Sequence, residues 1–346
     1  MNHPKYKHDT EMPIAISIGD PAGIGIEVIL KALKRVETKK ECNPILVGCR
    51  KTLNNIYKDF YERGLNELSN PEEYKIIDIP FSGNLEPGQP NQDTGEASFE
   101  WLNNATKLVL NGKAKALVTA PIAKHMWHQA GHFYPGQTER LGELASCKNF
   151  SMLFTAISPI NKWRFNTLLA TTHIPLKEVV KVLTPELINN KLDTLLKFCK
   201  RFSGNPKLAI AGLNPHAGEQ GDLGNEEIDW LIPTIKEWKS KHKNIQLDGP
   251  FPPDTCWLSA AESWKNLNRK LNNYDGFLAL YHDQGLIPVK LIAFESAVNT
   301  TIGLPFIRTS PDHGTAFDIA GHGIARPQSM LSAIEAASEL AKQMSN

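Results

Sequence analysis

Phe277-Leu278-Ala279-Leu280-Tyr281-His282-Asp283-Gln284-Gly285-Leu286-Ile287-Pro288-Val289-Lys290 sets an apolar run against a polar, glycine-containing stretch. Four apolar residues without a charge read as a short buried strand of the kind parallel sheets use. The strand gives way to a loop carrying a His-Asp pair, so an imidazole and a carboxylate stand where a buried strand ends. In α/β folds that edge is where ligands bind. The pattern recurs twice. Thr167 to Ala170 leads into Thr171-Thr172-His173-Ile174-Pro175, and Leu208 to Ala211 leads into Asn214-Pro215-His216-Ala217-Gly218.

Further strand-like runs stand at Ile14 to Ile18, Ile45 to Val47, Lys75 to Ile79 and Ala116 to Val118. Helix-like stretches alternate with them at Gly25 to Val36, Gly95 to Asn111, Leu176 to Val182, Pro185 to Arg201, Glu226 to Lys241 and Gln328 to Met344. The alternation predicts an α/β architecture on a mostly parallel sheet. A chain of 346 residues exceeds the ~250–300 at which one core stops growing, so one large or two lobes are expected. Gly- and Pro-rich loops from Pro80 to Thr94 and from Asp248 to Thr255 are read as a cleft rim or lobe edges.

Lys and Arg number 38 against 37 Asp and Glu, a formal charge of +1. That balance gives no field for steering onto nucleic acid or an anionic membrane, so anion binding must be local. Five scattered cysteines without C-x-x-C spacing indicate neither a disulfide framework nor a thiolate zinc site, which suits a reducing cytoplasm. No run approaches the ~20 apolar residues of a membrane span, and the polar opening from Met1 to Met12 is expected to fray.

His173, His216 and His282 lie 43 and 66 residues apart, which matches no short zinc motif. Each alone reads best as a structural residue. Their shared setting, a strand followed by a His in a Pro- or Gly-containing loop, favours three imidazole ligands of one divalent ion, leaving coordination positions for substrate oxygens. The glycine-rich Gly19-Asp20-Pro21-Ala22-Gly23-Ile24-Gly25 is either a tight turn or an anion contact at a helix start, and its spacing fits neither dinucleotide nor P-loop motifs. Thr119-Ala120-Pro121 to Lys124 ends another strand, and Pro135-Gly136-Gln137-Thr138-Glu139-Arg140 follows. Small residues there let a ligand approach the backbone. Glu219 to Glu227 is a glycine-punctuated acidic loop entering a helix, and without the neighbouring His216 it would read as a plain N-cap region. Arg308 is either a fork for a carboxylate or phosphate or half of a surface salt bridge.

Taken together, the chain resembles the 4-hydroxythreonine-4-phosphate dehydrogenase (PdxA) family of vitamin B6 biosynthesis. The motifs carrying the resemblance are Ile16 to Gly25, Thr119 to Pro121, Asn214 to Gly218, Gly249-Pro250, Tyr281 to Gly285, Gly303 to Ser310 and Asp312 to Thr315. They span nearly the whole chain and are specific as a set. The resemblance implies an isocitrate/isopropylmalate-dehydrogenase-like fold of two α/β/α lobes around a cleft, divided as 1–136 plus 309–346 and 137–308. It also implies a homodimer with the site at the subunit interface and a divalent metal (Zn, Mg or Co) on His173, His216 and His282. Substrate contacts carry over to Thr138, Lys290, Asn299 and Arg308. NAD or NADP is the implied cofactor, with contacts that the motifs do not assign.

The implied reaction is oxidation of 4-phosphooxy-L-threonine and loss of CO₂ to give 3-amino-2-oxopropyl phosphate. Asp283 and Lys290 are the catalytic candidates. At one point the chain departs from the family pattern: Gln137 stands where a substrate-contacting histidine is usual. An amide hydrogen-bonds an oxyanion but carries no charge near pH 7, which leaves room for another phosphorylated hydroxy acid such as a four-carbon sugar-acid 4-phosphate. A phosphate-acetyltransferase-like or binding protein of similar fold is the non-redox alternative, and it has no use for three metal ligands.

Overall fold

The computed structural model describes residues 13–37, 42–266 and 273–343. The polar opening and Met344, the expected end of the last helix, lie outside them. From the start the chain forms β1 (Ile14–Ser17), α1 (Gly25–Glu37), β2 (Pro44–Gly48), α2 (Arg50–Glu62), β3 (Lys75–Asp78), α3 (Gln92–Leu110), β4 (Ala116–Thr119), α4 (Lys124–Gln129) and α5 (Gln137–Leu144). It continues through β5 (Ser151–Ile157), β6 (Arg164–Leu169), α6 (Leu176–Val182), α7 (Pro185–Cys199), β7 (Lys207–Ala211), α8 (Ile232–Lys241), β8 (Gln246–Phe251), α9 (Leu258–Lys265), β9 (Gly276–Ala279) and α10 (His282–Ala293). It closes with β10 (Val298–Ile302), β11 (Ile307–Pro311) and α11 (Gln328–Gln343).

Two compact units result: the chain up to Phe150 together with the segment from Val298 onward, and Ser151–Ala297. The division therefore falls after 136/137 and before 308/309, the boundaries expected from sequence. Gln137, Thr138, Asn299 and Arg308 belong to the first unit, and all three histidines belong to the second.

In the first unit the strands lie in the order β3-β2-β1-β4-β11-β10, parallel except for the β10–β11 pair. In the second the order is β5-β6-β9-β7-β8, parallel except for β5–β6. Strands β1, β2, β4 and β9 are buried at every position, as uniform apolar runs require when helices cover both faces. Helix α3 begins on a reciprocal cap, with Asn91 Oδ1 accepting from the Thr94 N–H and Thr94 Oγ1 from the Asn91 N–H. Trp127 and Phe99 pack edge to face at 5.2 Å in the first core, and Phe165 and Phe277 at 5.5 Å in the second. All five cysteines are free.

Several elements depart from the sequence reading, among them helices α2, α4, α5 and α9, which went unread. Strands β5, β10 and β11 went unread, the last two because Thr, Asn, Arg and Ser fill them. The Gly/Pro-rich loop from Asp248 begins inside β8. The stretch after His282 is not a loop but helix α10, entered directly from β9 and carrying Pro288 within it.

Candidate active site

Because β6, β9 and β7 are adjacent and parallel, their C-terminal ends share one edge of the second unit. The chain leaves that edge three times, and His173, His282 and His216 follow within a few residues of β6, β9 and β7. Two of these departures are strained. His173 has φ 39° and His216 φ 52°, and every residue from His216 to Gln220 is left-handed. Such conformations cost about 1–3 kcal/mol each and persist only where surrounding structure fixes them. Around His216 that fixing comes from Glu227, a fully buried carboxylate that accepts from the Leu213 N–H (2.7 Å), the Asn214 N–H (2.8 Å) and Asn214 Nδ2 (2.9 Å).

His282 is the first residue of α10, and its Nδ1 lies 2.7 Å from Asp283 Oδ1. Beside an ionised carboxylate, which only accepts, Nδ1 carries the proton and Nε2 keeps its lone pair. Gln284 ties this edge together: its Oε1 accepts from the Leu280 N–H and its Nε2 donates to the Gly212 carbonyl, both at 2.7 Å. The ends of β9 and β7 are thus fixed to each other by one buried amide.

The rings of His173 and His282 lie 5.4 Å apart between centroids. Two imidazoles bound to one ion at ~2.0–2.1 Å per nitrogen place their ring centres roughly 5 Å apart, so this pair fits a shared divalent cation. They line a cavity of about 220 Å³ with Thr171, Thr172, Tyr281 and Asp283. His216 is not in that lining. Among the described residues no three His, Cys, Asp or Glu side chains stand close enough to hold a metal.

The first unit holds Gln137, Thr138, Asn299 and Arg308, four of the residues expected to contact substrate. Arg308, on β11, is 4% exposed and donates through Nε (3.1 Å) and Nη2 (2.8 Å) to Thr119 Oγ1 and through Nη1 (3.1 Å) to Thr301 Oγ1. Burial pushes its pKa down to about 10 while Glu139 nearby opposes the shift, so the guanidinium stays charged at neutral pH. Three of its five N–H groups are engaged by these two hydroxyls. This buried setting removes the surface-salt-bridge reading. Asn299 Oδ1, on the neighbouring strand β10, is buried without a hydrogen-bond partner. Gln137 and Thr138 open α5, where a Cβ built on Gly136 would lie 3.2 Å from Glu139 Oε2 and 3.8 Å from Lys124 Nζ. Lys290 is exposed on α10, with Nζ 5.9 Å from the centre of the Phe294 ring.

The glycine-rich turn after β1 spends its amides internally: Asp20 N–H on Pro121 O, Gly23 N–H on Asp20 O, and Ile24 N–H on Thr315 O. A Cβ on Gly19, at φ 76°, would run into the Pro121 carbonyl. Close packing, rather than an anion cradle, accounts for these glycines.

Residues 40–337 match the model of the family described as pyridoxal phosphate biosynthetic protein PdxA. The chain belongs to the PdxA family. A PdxA-family relative from Synechococcus sp. (strain RCC307), named 4-hydroxythreonine-4-phosphate dehydrogenase, is 56% identical over 94% of this chain and 99% of its own. A crystal structure of 4-hydroxythreonine-4-phosphate dehydrogenase from Klebsiella pneumoniae superposes with a TM-score of 0.78 at 36% identity, over 96% of this chain and 98% of that one. D-threonate 4-phosphate dehydrogenase from Pectobacterium atrosepticum is 38% identical over 95% of this chain and 99% of its own. Isocitrate dehydrogenase from Methylococcus capsulatus, 15% identical with a TM-score of 0.50 over 97% of this chain and 86% of that one, shares the fold alone.

Sequence reasoning missed Glu227 and Gln284 in this PdxA-family chain. Glu227 looked like a solvated N-cap acid, and its only sequence signal was a position 11 residues beyond His216. Gln284 carried none, since its role depends on two strands 72 residues apart meeting at one edge.

Proposed function

We propose that this chain oxidises 4-hydroxythreonine 4-phosphate with NAD and releases CO₂ from the product, in vitamin B6 biosynthesis, and that it needs a divalent ion. The observation that carries the reading is three histidines leaving one edge of three adjacent parallel strands, two with ring centres 5.4 Å apart. A hydride leaves C3 of the substrate for the nicotinamide as the C3 hydroxyl gives up its proton. The resulting 3-oxo acid loses CO₂, C2 takes up a proton, and 3-amino-2-oxopropyl phosphate is released.

His173, His216 and His282 would hold the ion, which when bound lowers the pKa of a coordinated hydroxyl and steadies the charge left as CO₂ departs. Asp283 keeps His282 in its ligating tautomer. Arg308 and Lys290 neutralise substrate anion, while Thr138, Asn299 and Gln137 orient it, and such positioning supplies a large part of the rate. Family membership and the histidine set disfavour the acyltransferase reading.

A homodimer belongs to this proposal. Ile287, Leu291 and Phe294, 58, 82 and 56% exposed, recur at helical spacing along α10 and its C-cap, an apolar stripe of the kind partner subunits cover. A cytoplasmic setting is part of the same proposal; among the described residues no helix is long and apolar enough to cross a membrane.

The test is NADH formation by the metal-loaded protein on a panel of phosphorylated hydroxy acids that includes D-threonate 4-phosphate. His216→Ala is expected to lose stoichiometric metal by elemental analysis and turnover by at least about a hundredfold, scaled from the loss of individual catalytic groups, while the metal-free forms of the two proteins keep the same melting curve. Full metal content with unchanged turnover would reject the ligand assignment.

A further inference from the structure

The chain runs from the end of β7 to His216 through Gly212, Leu213, Asn214 and Pro215, and its backbone is tied down step by step. The Gly212 N–H donates to the Phe251 carbonyl at 2.7 Å, and the Gly212 carbonyl accepts from Gln284 Nε2 at 2.7 Å. The next two N–H groups, on Leu213 and Asn214, both end on Glu227 Oε1, and Asn214 Nδ2 donates to Glu227 Oε2. Glu227 is fully buried, and it accepts in all three of these bonds, as a carboxylate can through both of its oxygens. The backbone leaves room for it: a Cβ on Gly218 would lie 2.8 Å from Oε2, and one on Gly212 would lie 3.2 Å from Oε1. Beyond Pro215 the backbone turns left-handed at His216, and φ stays between 41° and 82° as far as Gln220.

We infer that Glu227 is a positioning residue for the metal site: it fixes the stem of the His216 loop and thereby where that imidazole stands, without being a ligand itself. A left-handed run costs about 1–3 kcal/mol per residue and relaxes once its stem is loosened. His216 is the first residue of that run, so it moves with the stem. The bland alternative is a buried acid that only stabilises the turn, as its hydrogen bonds would do in any loop. The inference rests on the reading of His216 as a metal ligand. It gives a residue 11 positions further along the chain a share in how tightly the ion is held.

The experiment titrates the metal-free protein with Co²⁺, whose visible absorption reports its ligands, and compares Glu227→Gln and Glu227→Asp with the unaltered chain. Glutamine keeps the length but sets an N–H₂ group against donors, whereas aspartate keeps the charge and withdraws it by one methylene. Losing a partner that orients a ligand typically costs about 10–100-fold in metal affinity. Both variants should therefore bind Co²⁺ about ten- to a hundredfold more weakly, with an altered spectrum. At saturating Co²⁺, kcat should fall while KM for 4-hydroxythreonine 4-phosphate stays near its normal value. Adding Glu227→Gln to His216→Ala should weaken the residual Co²⁺ binding no further, because Glu227 acts through that imidazole.

A lower melting temperature of the metal-free variants with unchanged Co²⁺ affinity and spectrum would make Glu227 a stabilising residue only and overturn the inference. An equal loss of affinity with and without His216 would overturn it too. Glu227→Asp answers the same questions if the glutamine variant does not fold. If His216→Ala itself binds Co²⁺ as the unaltered protein does, the ligand reading fails, which is a separate result from a Glu227 variant that keeps its metal while His216→Ala loses it.

Discussion

Asp20 shows how a single residue can carry a hidden cost. It is wholly buried, accepts from the Ala22 N–H at 3.0 Å and faces Thr94 Oγ1 at 3.4 Å, and desolvation pushes its pKa from 3.8 up to about 6 despite these bonds and the opposing pull of nearby His125. A carboxyl whose folded pKa exceeds its unfolded value favours the fold while protonated. Its contribution is full below about pH 4 and is lost as pH rises through about 6. Asp20→Asn keeps the shape and the acceptor while removing the charge. Its melting temperature should match the unaltered protein's near pH 4 and exceed it at pH 8, a gain on the order of 2–3 kcal/mol. An equal difference at both pH values would show that ionisation is not the cause. Arg308 marks where residue-level reading stops. Sequence left it between an anion fork and a surface salt bridge, because the choice depends on β11 being an interior strand, and Ile307–Pro311 spells too polar a run to announce that.

Among the elements, α10 was the one the sequence concealed most. Gly285 and Pro288 are ordinary signals that a helix stops, yet both are buried inside one. Packing explains the glycine: a Cβ there would meet Leu169 Cδ2 at 2.5 Å, Ala279 Cβ at 2.9 Å and Thr167 Cγ2 at 3.1 Å. Those atoms belong to β6 and β9, so Gly285 lets α10 lie directly on the strands that present His173 and His282. The strand ends were legible because uniform apolar runs ending in histidine have few readings. The helix was not, because its glycine answers a tertiary contact. Gly285→Ala should destabilise the fold by about 1–3 kcal/mol, as overpacking does, and weaken metal binding by displacing His282. Denaturant unfolding and metal titration check both, and normal stability with unchanged metal affinity would mean that the contact relaxes without moving the site.

At the scale of the whole molecule, alternation of strand and helix was enough to read an α/β chain, but the point where one unit hands over to the other was not. The first unit is left after Phe150 and regained at Val298, and no Gly/Pro-rich linker marks either crossing. The exposed apolar stripe of Ile287, Leu291 and Phe294 was also illegible, since the sequence reading placed no helix here. Their exposure, 82% at Leu291, turns them into a prediction. Leu291→Asp with Phe294→Glu changes two exposed side chains and gives up the contact of Lys290 with the Phe294 ring, so its unfolding free energy should stay within about 0.5 kcal/mol of normal, as exposed substitutions generally do. If a second copy covers this stripe, an interface of the standard ~1,600 Å² would then have two charges at its apolar part. The variant should sediment as a monomer. Because α10 starts at His282, a partner seated on the stripe lies beside the proposed metal site, so turnover should fall with the dimer and recover as protein concentration restores it. A monomeric variant of full activity would separate the stripe from catalysis, whereas an unaltered dimer would place the subunit contact elsewhere on the chain.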